Sequence, residues 1–193
     1  IVSGTPTPTL TPSDVTNAAT QVTNAKTQLN GNHNLEVAKQ NANTAIDGLT
    51  SLNGPQKAKL KEQVGQATTL PNVQTVRDNA QTLNTAMKGL RDSIANEATI
   101  KADQNYTDAS PNNRSEYDSA VTAAKAIIGQ TTSPSMNAQE INQAKDQVTA
   151  KQQALNGQEN LRTAQTNAKQ HLNGLSDLTN AQKEAAKRQI CLL

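Results

Sequence analysis

The chain repeats itself. Residues 29–64, LNGNHNLEVAKQNANTAIDGLTSLNGPQKAKLKEQV, align without a gap on residues 155–190, LNGQENLRTAQTNAKQHLNGLSDLTNAQKEAAKRQI, at an offset of 126. Fifteen of these 36 positions are identical, among them Leu29/Leu155, Gly31/Gly157, Leu35/Leu161, Ala38/Ala164, Leu49/Leu175 and Lys57/Lys183. Upstream, Val15, Ala18 and Val22 fall on Ile141, Ala144 and Val148. Self-similarity at one fixed period marks an array whose units bury their apolar faces against neighbours. The 193 residues hold one full period and part of a second, so the sequence reads as a piece of a tandem array.

Within the period the apolar spacing is helical. Thr11-Pro12-Ser13-Asp14 opens a helix, with Thr11 as N-cap and Pro12 at its first position. Val15, Val22 and Leu29 then recur every seven residues with Ala18 and Ala25 between, and a second stripe runs Leu35, Ala38, Ala42, Ile46, Leu49. The step from Leu29 to Leu35 is six residues. Either the helix runs on through Gly31 and its buried face rotates, or it breaks with Gly31 as C-terminal cap and Asn34 as the next N-cap.

Asn53-Gly54-Pro55-Gln56 starts a short helix carrying Leu60 and Val64. Its counterpart, Thr179-Asn180-Ala181-Gln182, fits a capping box. After a turn at Thr68 to Pro71 comes the clearest pattern: Val73, Val76, Ala80, Leu83, Met87, Leu90 and Ile94, alternating steps of three and four. A helix from 73 to about 105 spans roughly 50 Å. Past Ile94 its apolar face changes to Ala95, Ala98 and Ala102, which predicts one strut serving two bundles in succession. Ser110-Pro111 opens a further helix with Tyr117, Ala120, Val121, Ala124 and Ile128 inside, ended by Gly129. Asn137-x-x-Glu140 caps the next, with Met136 and Ile141 placed as a hydrophobic staple. No run alternates apolar and polar residues, so the fold is predicted to be all-α.

Composition limits what such helices can enclose. Leu, Ile and Val number 33, about 17% of the chain, a share found in disordered proteins. Disorder also calls for high net charge, whereas 18 basic residues here meet 16 acidic ones. The chain is therefore expected to fold around thin seams drawn from its 27 Ala. With two Tyr and no Phe or Trp it lacks the material for a large enzyme core or a deep aromatic pocket. A net charge of +2 with no basic run argues against nucleic acid, and no 18-residue apolar window offers membrane contact. Ile1-Val2-Ser3-Gly4 does not read as a signal peptide. Cys191 is the only cysteine, so no intrachain disulfide forms.

A one-sided stripe needs two partner helices to close a core, which sets the expected organisation. Residues 1–12 are a Thr/Pro-rich linker or cloning remnant, and 13–30 are the last helix of a preceding bundle. Residues 31–90 and 91–156 are two three-helix bundles, 157–190 is a partial copy of the first, and 191–193 is a cloning scar. Joined by long shared helices, tandem three-helix bundles make a spectrin-like rod.

Residues 35–64 with 70–90 resemble a GA module, the small three-helix bundle of bacterial surface proteins. Residues 105–128 resemble a FIVAR module in Tyr106, Ser110-Pro111 and Tyr117 to Ala120. Alternation of the two at this period is similar to the repeat region of giant staphylococcal matrix-binding surface proteins, over roughly residues 13–190. The resemblance implies a monomeric, extracellular segment at the bacterial cell surface, anchored through other parts of a longer chain. It also implies fibronectin as a partner through FIVAR units, with serum albumin through GA units as the alternative.

No residue set reads as a catalytic, cofactor or metal site. His33 and His171 are not equivalent under the offset, and a metal centre needs several convergent ligands. Cys191 lacks a neighbouring base, and no serine sits in a G-x-S-x-G turn. Tyr106 and Tyr117 read either as recognition anchors or as plugs of the second bundle, and Tyr117 falls on its helix's apolar stripe. Lys57, Lys59, Lys61 and Glu62 read as a solvated face. The expected role is a non-catalytic adhesive spacer, and the sequence does not point to a partner-binding face.

Overall fold

The computed structural model describes residues 11–192. Most of the segment assigned to a linker, and Leu193, lie outside the described residues. Among those described there are ten helices and no strand: α1 (Pro12–Gln28), α2 (Gly31–Asp47), α3 (Gly54–Gln66), α4 (Leu70–Ile94), α5 (Glu97–Ala102), α6 (Gln104–Thr107), α7 (Pro111–Ile128), α8 (Ala138–Gln153), α9 (Gly157–Gly174) and α10 (Asn180–Ile190).

At several helix starts a side chain meets the free amides, whereas α1, α2, α5 and α9 begin without a side-chain cap bond. Thr11 is the N-cap of α1, its hydroxyl turned to the Asp14 carboxylate. Ser110 Oγ accepts from Asn113 N at the start of α7, and Asn137 Oδ1 accepts from Gln139 N and Glu140 N at the start of α8. Thr179 and Gln182 form the expected capping box of α10. Such caps contribute about 1 kcal/mol each.

Two joints differ from expectation. The strut predicted over 73–105 is not continuous: α4 ends at Ile94, and α5 and α6 follow as short separate helices. The apolar seam runs out at Ile94. Ser93 Oγ donates to Leu90 O at 2.7 Å, and Ala95 N bonds back to Asp92 O, three residues earlier, tightening the last turn. Asn96 then leaves helical geometry at the N-cap position of α5. The second joint settles the question at Gly31. The helices break on both copies at Leu29-Asn30 and Leu155-Asn156, but Asn30 and Asn156 are the N-caps, and Gly31 and Gly157 are the first helical residues.

The described chain clusters into two units, residues 11–48 with 60–78, and residues 49–59 with 79–192. In the first, Ala42, Ile46, Leu60, Val64, Ala67 and Val73 are buried. There Lys39 Nζ donates to Gly65 O at 3.0 Å, and Lys61 pairs with Asp47. In the second unit Ala80, Leu83, Met87 and Leu90 continue the α4 seam as buried residues. Tyr117, Val121 and Ala124 of α7, with Ile141 and Val148 of α8, form a second buried set. α7 and α8 pack along their lengths. Burying each large aliphatic side chain stabilises by about 1.5–3 kcal/mol.

One polar side chain is fully buried among the described residues, Gln56, and its hydrogen bonds explain why. Its Oε1 accepts from Asn53 N at 3.0 Å while Asn53 Oδ1 accepts from Gln56 N at 2.9 Å, a reciprocal cap for α3. Its Nε2 donates to Ser135 O at 2.9 Å, fixing the start of α3 to the α7–α8 loop. That loop is shaped to present the carbonyl. Ser135 N donates to Gln130 Oε1 at 2.8 Å, and Ser133 sits at φ 37°, in the left-handed region. Nearby, Arg91 Nε donates to Ser51 O and Ser51 N donates to Asn84 Oδ1. The counterpart Gln182 is exposed, although it keeps its cap. Gln56→Ala is therefore expected to cost about 1–3 kcal/mol, since it strands a buried carbonyl and an amide. Gln182→Ala should cost about 0.5 kcal/mol, the loss of a cap alone. Urea unfolding of both variants measures the difference.

Candidate functional site

The side chains with most chemistry gather on α5, α6 and α7. Asp103 caps α6 by accepting from Asn105 N, and this short turn places Tyr106 beside α7. The Tyr106 and Tyr117 rings meet edge to face, with centroids 6.0 Å apart and planes at 71°. Tyr117 is fully buried and takes the core position expected of it, whereas Tyr106 is half-buried. The Tyr106 hydroxyl donates to Asp118 at 2.9 Å. The Tyr117 hydroxyl is enclosed with no hydrogen-bond partner among the described residues.

Around the tyrosines the charges are paired. Glu97 sits between Lys125 at 2.5 Å and Lys101 at 2.9 Å, and Lys101 also reaches Asp118 at 3.0 Å. Hydrogen bonds from Lys125 and then Lys101 hold the Glu97 carboxyl below the usual carboxylate range. Glu97 and Asp118 in turn push the Lys101 ammonium above its ordinary value. Burial, then the Asp118 carboxylate, raises Tyr106; burial is the main cause for Tyr117. Every one of these shifts favours the charge state already held at neutral pH. None moves a group toward proton transfer near pH 7, the arrangement general acid–base work requires.

Beside this cluster an open groove of about 720 Å³ runs along α7, lined by Tyr106, Arg114, Asp118, Thr122 and Ala126 among others. It is shallow and mixed in polarity, a surface suited to wet contacts with an extended partner rather than to enclosing a small molecule. Where α8 passes into α9, a corner holds α6 and α7 in place. Asn156 Oδ1 accepts from Ser110 N at 3.0 Å, Asn160 Nδ2 donates to Asp108 O at 2.9 Å, and Gln158 N donates to Asn105 Oδ1 at 3.2 Å. Gly157 is buried there. A Cβ on it would stand 2.7 Å from Asn105 O and closer still to Gln104 O, so only glycine permits the approach. Reading spacing alone misses this corner, although Asn156, Gly157 and Asn160 are each identical to their counterparts under the 126-residue offset.

His33, His171 and Cys191 are exposed and far apart in the chain. Among the described residues no group of three His, Cys, Asp or Glu side chains converges on a metal position. Lys59 and Glu62 are exposed, and Lys61 is tied to Asp47. No described helix is long and apolar enough to cross a membrane.

Two family models match the chain: the GA module over residues 32–86 and 158–191, and the FIVAR domain over 1–30 and 86–156. The chain is 99% identical over 190 residues, 98% of its length, to the extracellular matrix-binding protein ebh of Staphylococcus aureus strain MW2, and spans 2% of that relative. It superposes on the crystal structure of an EbhA domain from Staphylococcus aureus with TM-score 0.86 and 38% identity, covering 94% of this chain and 74% of that one. A second structure, from work on Embp-mediated Staphylococcus epidermidis adherence to fibronectin, matches with TM-score 0.63 and 26% identity, covering 64% of this chain and 98% of that one.

Two outcomes follow from the tyrosine cluster. Tyr117→Phe removes a hydroxyl that has no partner among the described residues and should leave stability unchanged or higher, whereas Tyr117→Ala should cost about 3–5 kcal/mol by opening the core. Thermal melts of both variants compare them. Because the folded Glu97 carboxyl titrates below its ordinary value of 4.5, its ion pairs stabilise the fold above that pH. Their contribution fades as pH falls through the lower, folded value. Glu97→Gln should lose stability at pH 7 yet show a flatter decline between about pH 5 and 3, measured by urea titration across that range.

Proposed function

The chain belongs to the FIVAR family, its FIVAR units alternating with GA modules, and from this we propose that it is a non-catalytic repeat segment of a bacterial surface adhesin. In this reading residues 31–90 are a GA bundle, 91–156 a FIVAR bundle, 13–30 the last helix of a preceding FIVAR bundle and 157–190 a partial GA bundle. Strung in series, such units make an elongated spacer that holds weak binding faces away from the cell surface. The segment itself is monomeric and extracellular, and other parts of the long protein anchor it.

The partner proposed is fibronectin, met by the outer face of α7. The observation that carries this is the open, mixed groove beside Tyr106, Arg114 and Asp118, in the FIVAR unit of a chain similar to a protein studied for fibronectin adherence. One such groove gives weak binding; many on one polypeptide add up, because each bound unit raises the effective concentration of the next. The GA match over residues 32–86 favours a second reading, serum albumin bound by α2 to α4.

Immobilised fibronectin and albumin, each probed with this chain and with a ten-period array, separate the readings. The fibronectin reading expects the array to bind at least about 100-fold more tightly than the single chain, and Arg114→Glu in every copy to abolish the gain. Saturable binding to albumin alone would replace it with the second reading. No saturable binding of the array to either protein would overturn both.

A further inference from the structure

Asparagine precedes glycine four times in the chain, at Asn30-Gly31, Asn53-Gly54, Asn156-Gly157 and Asn173-Gly174. Such a pair is labile, because a backbone nitrogen whose own residue has no Cβ reaches the preceding side-chain amide with little hindrance. The fold holds two of these asparagines by both side-chain atoms. Asn53 Oδ1 accepts from Gln56 N at 2.9 Å, and its Nδ2 reaches Ile128 O at 3.5 Å. Asn156 Oδ1 accepts from Ser110 N at 3.0 Å, its Nδ2 donates to Asn160 Oδ1 at 3.2 Å, and Gly157 is buried against α6. Asn30-Gly31 has the same place in the period as Asn156-Gly157.

Asn173-Gly174 is held by neither means. Both residues are exposed, the Asn173 side chain has no hydrogen bond among the described residues, and a Cβ on Gly174 would meet nothing within 4 Å. The pair also closes α9, since Leu175 is already extended at ψ 106°. A closed helical turn keeps the glycine nitrogen away from the asparagine Cγ. A last turn frays, however, so this one opens without disturbing the rest of the fold. One period earlier the same place is taken by Asp47-Gly48, in the GA unit that the chain holds whole. There the Asp47 side chain is 59% exposed and pairs with Lys61. The end of this helix is thus open to solvent in a whole unit as well, and it accommodates an acid. Lys187 stands at the position of Lys61.

We propose that Asn173-Gly174 is a site of spontaneous deamidation, one that the fold leaves reactive while it protects Asn53 and Asn156. The Gly174 nitrogen gives up its proton and bonds to Asn173 Cγ. The Cγ–Nδ2 bond breaks, and ammonia leaves with that proton. Water then opens the cyclic imide at either carbonyl, giving aspartate or isoaspartate. The aspartate product has the charge of Asp47, with Lys187 placed to pair with it as Lys61 does in the first copy. The isoaspartate product adds a methylene to the backbone and keeps the last turn of α9 from closing. Either way the surface gains one negative charge as the protein ages. The site is independent of the matrix reading, because it is read in mass and not in binding.

Ageing the folded chain in warm, mildly alkaline buffer, followed by peptide mass mapping, tests this. Amide loss at Asn173 is expected to run at least about 10-fold faster than at Asn53 or Asn156, because it needs only one frayed turn to open. Aspartate and isoaspartate should both appear there. Gly174→Ala puts a Cβ into open space and strengthens the helix end, so it should slow loss at Asn173 by at least about 10-fold and leave Asn53 and Asn156 unchanged. Asp47→Asn places the same pair at the end of α2, in the whole GA unit, and should lose its amide within about 3-fold of the rate at Asn173. Equal loss at the three natural sites, or slower loss at Asn173, would overturn the proposal. So would a rate at Asn173 that Gly174→Ala leaves undiminished. An Asp47→Asn protein that keeps its amide would trace the reactivity of Asn173 to the partial second unit, and would overturn the proposal for the array.

Discussion

Small side chains set the terms for everything else in this protein. With no Phe or Trp and one fully buried Tyr, the helices close on Ala, Val, Ile, Leu and Met, and a thin layer of such residues stabilises only if backbones come close. Close approach leaves polar backbone groups facing one another, and these must be matched. The Gly157 corner shows the consequence: the Cβ is given up so that α9 can start against the α6 carbonyls, and Asn156 and Asn160 take up the exposed backbone groups nearby. Gln56 does comparable work at the start of α3, where one amide side chain satisfies its own cap and a loop carbonyl 79 residues away.

Bundles this thin have little stability to spare alone. In a repeating chain the shortfall is met by neighbours, because the face that one unit leaves open is the face the next unit covers. Within the FIVAR bundle α7 covers α8, burying Ile141 and Val148. Function suited to such a molecule is distributed. The shallow groove on α7 is bordered by paired charges, and the matrix contact proposed for it is of the kind that gains strength by repetition.

Much of this could be read from the sequence because helical periodicity survives in a chain of low hydrophobicity. The alternating three- and four-residue steps from Val73 to Ile94 marked α4, and Thr179-x-x-Gln182 marked the start of α10, since both patterns follow from backbone geometry alone. The break after Ile94 was hidden because no Gly or Pro stands there; Ala95, Ala98 and Ala102 are good helix formers, and the helix ends through Ser93 and Asn96 instead. Gln56 was invisible to apolar spacing, its burial depending on a loop far along the chain. The Asn-Gly corner was legible only as identity between copies, which says that a position matters without saying what it touches.

Equilibrium unfolding of proteins built from one, two and three complete 126-residue periods tests most directly whether neighbours stabilise one another. If uncovered faces are completed by the next unit, the midpoint denaturant concentration should rise with each added period and the transition should sharpen. Midpoint and slope independent of the number of periods would mean that each unit folds by itself, and would contradict this view of the array.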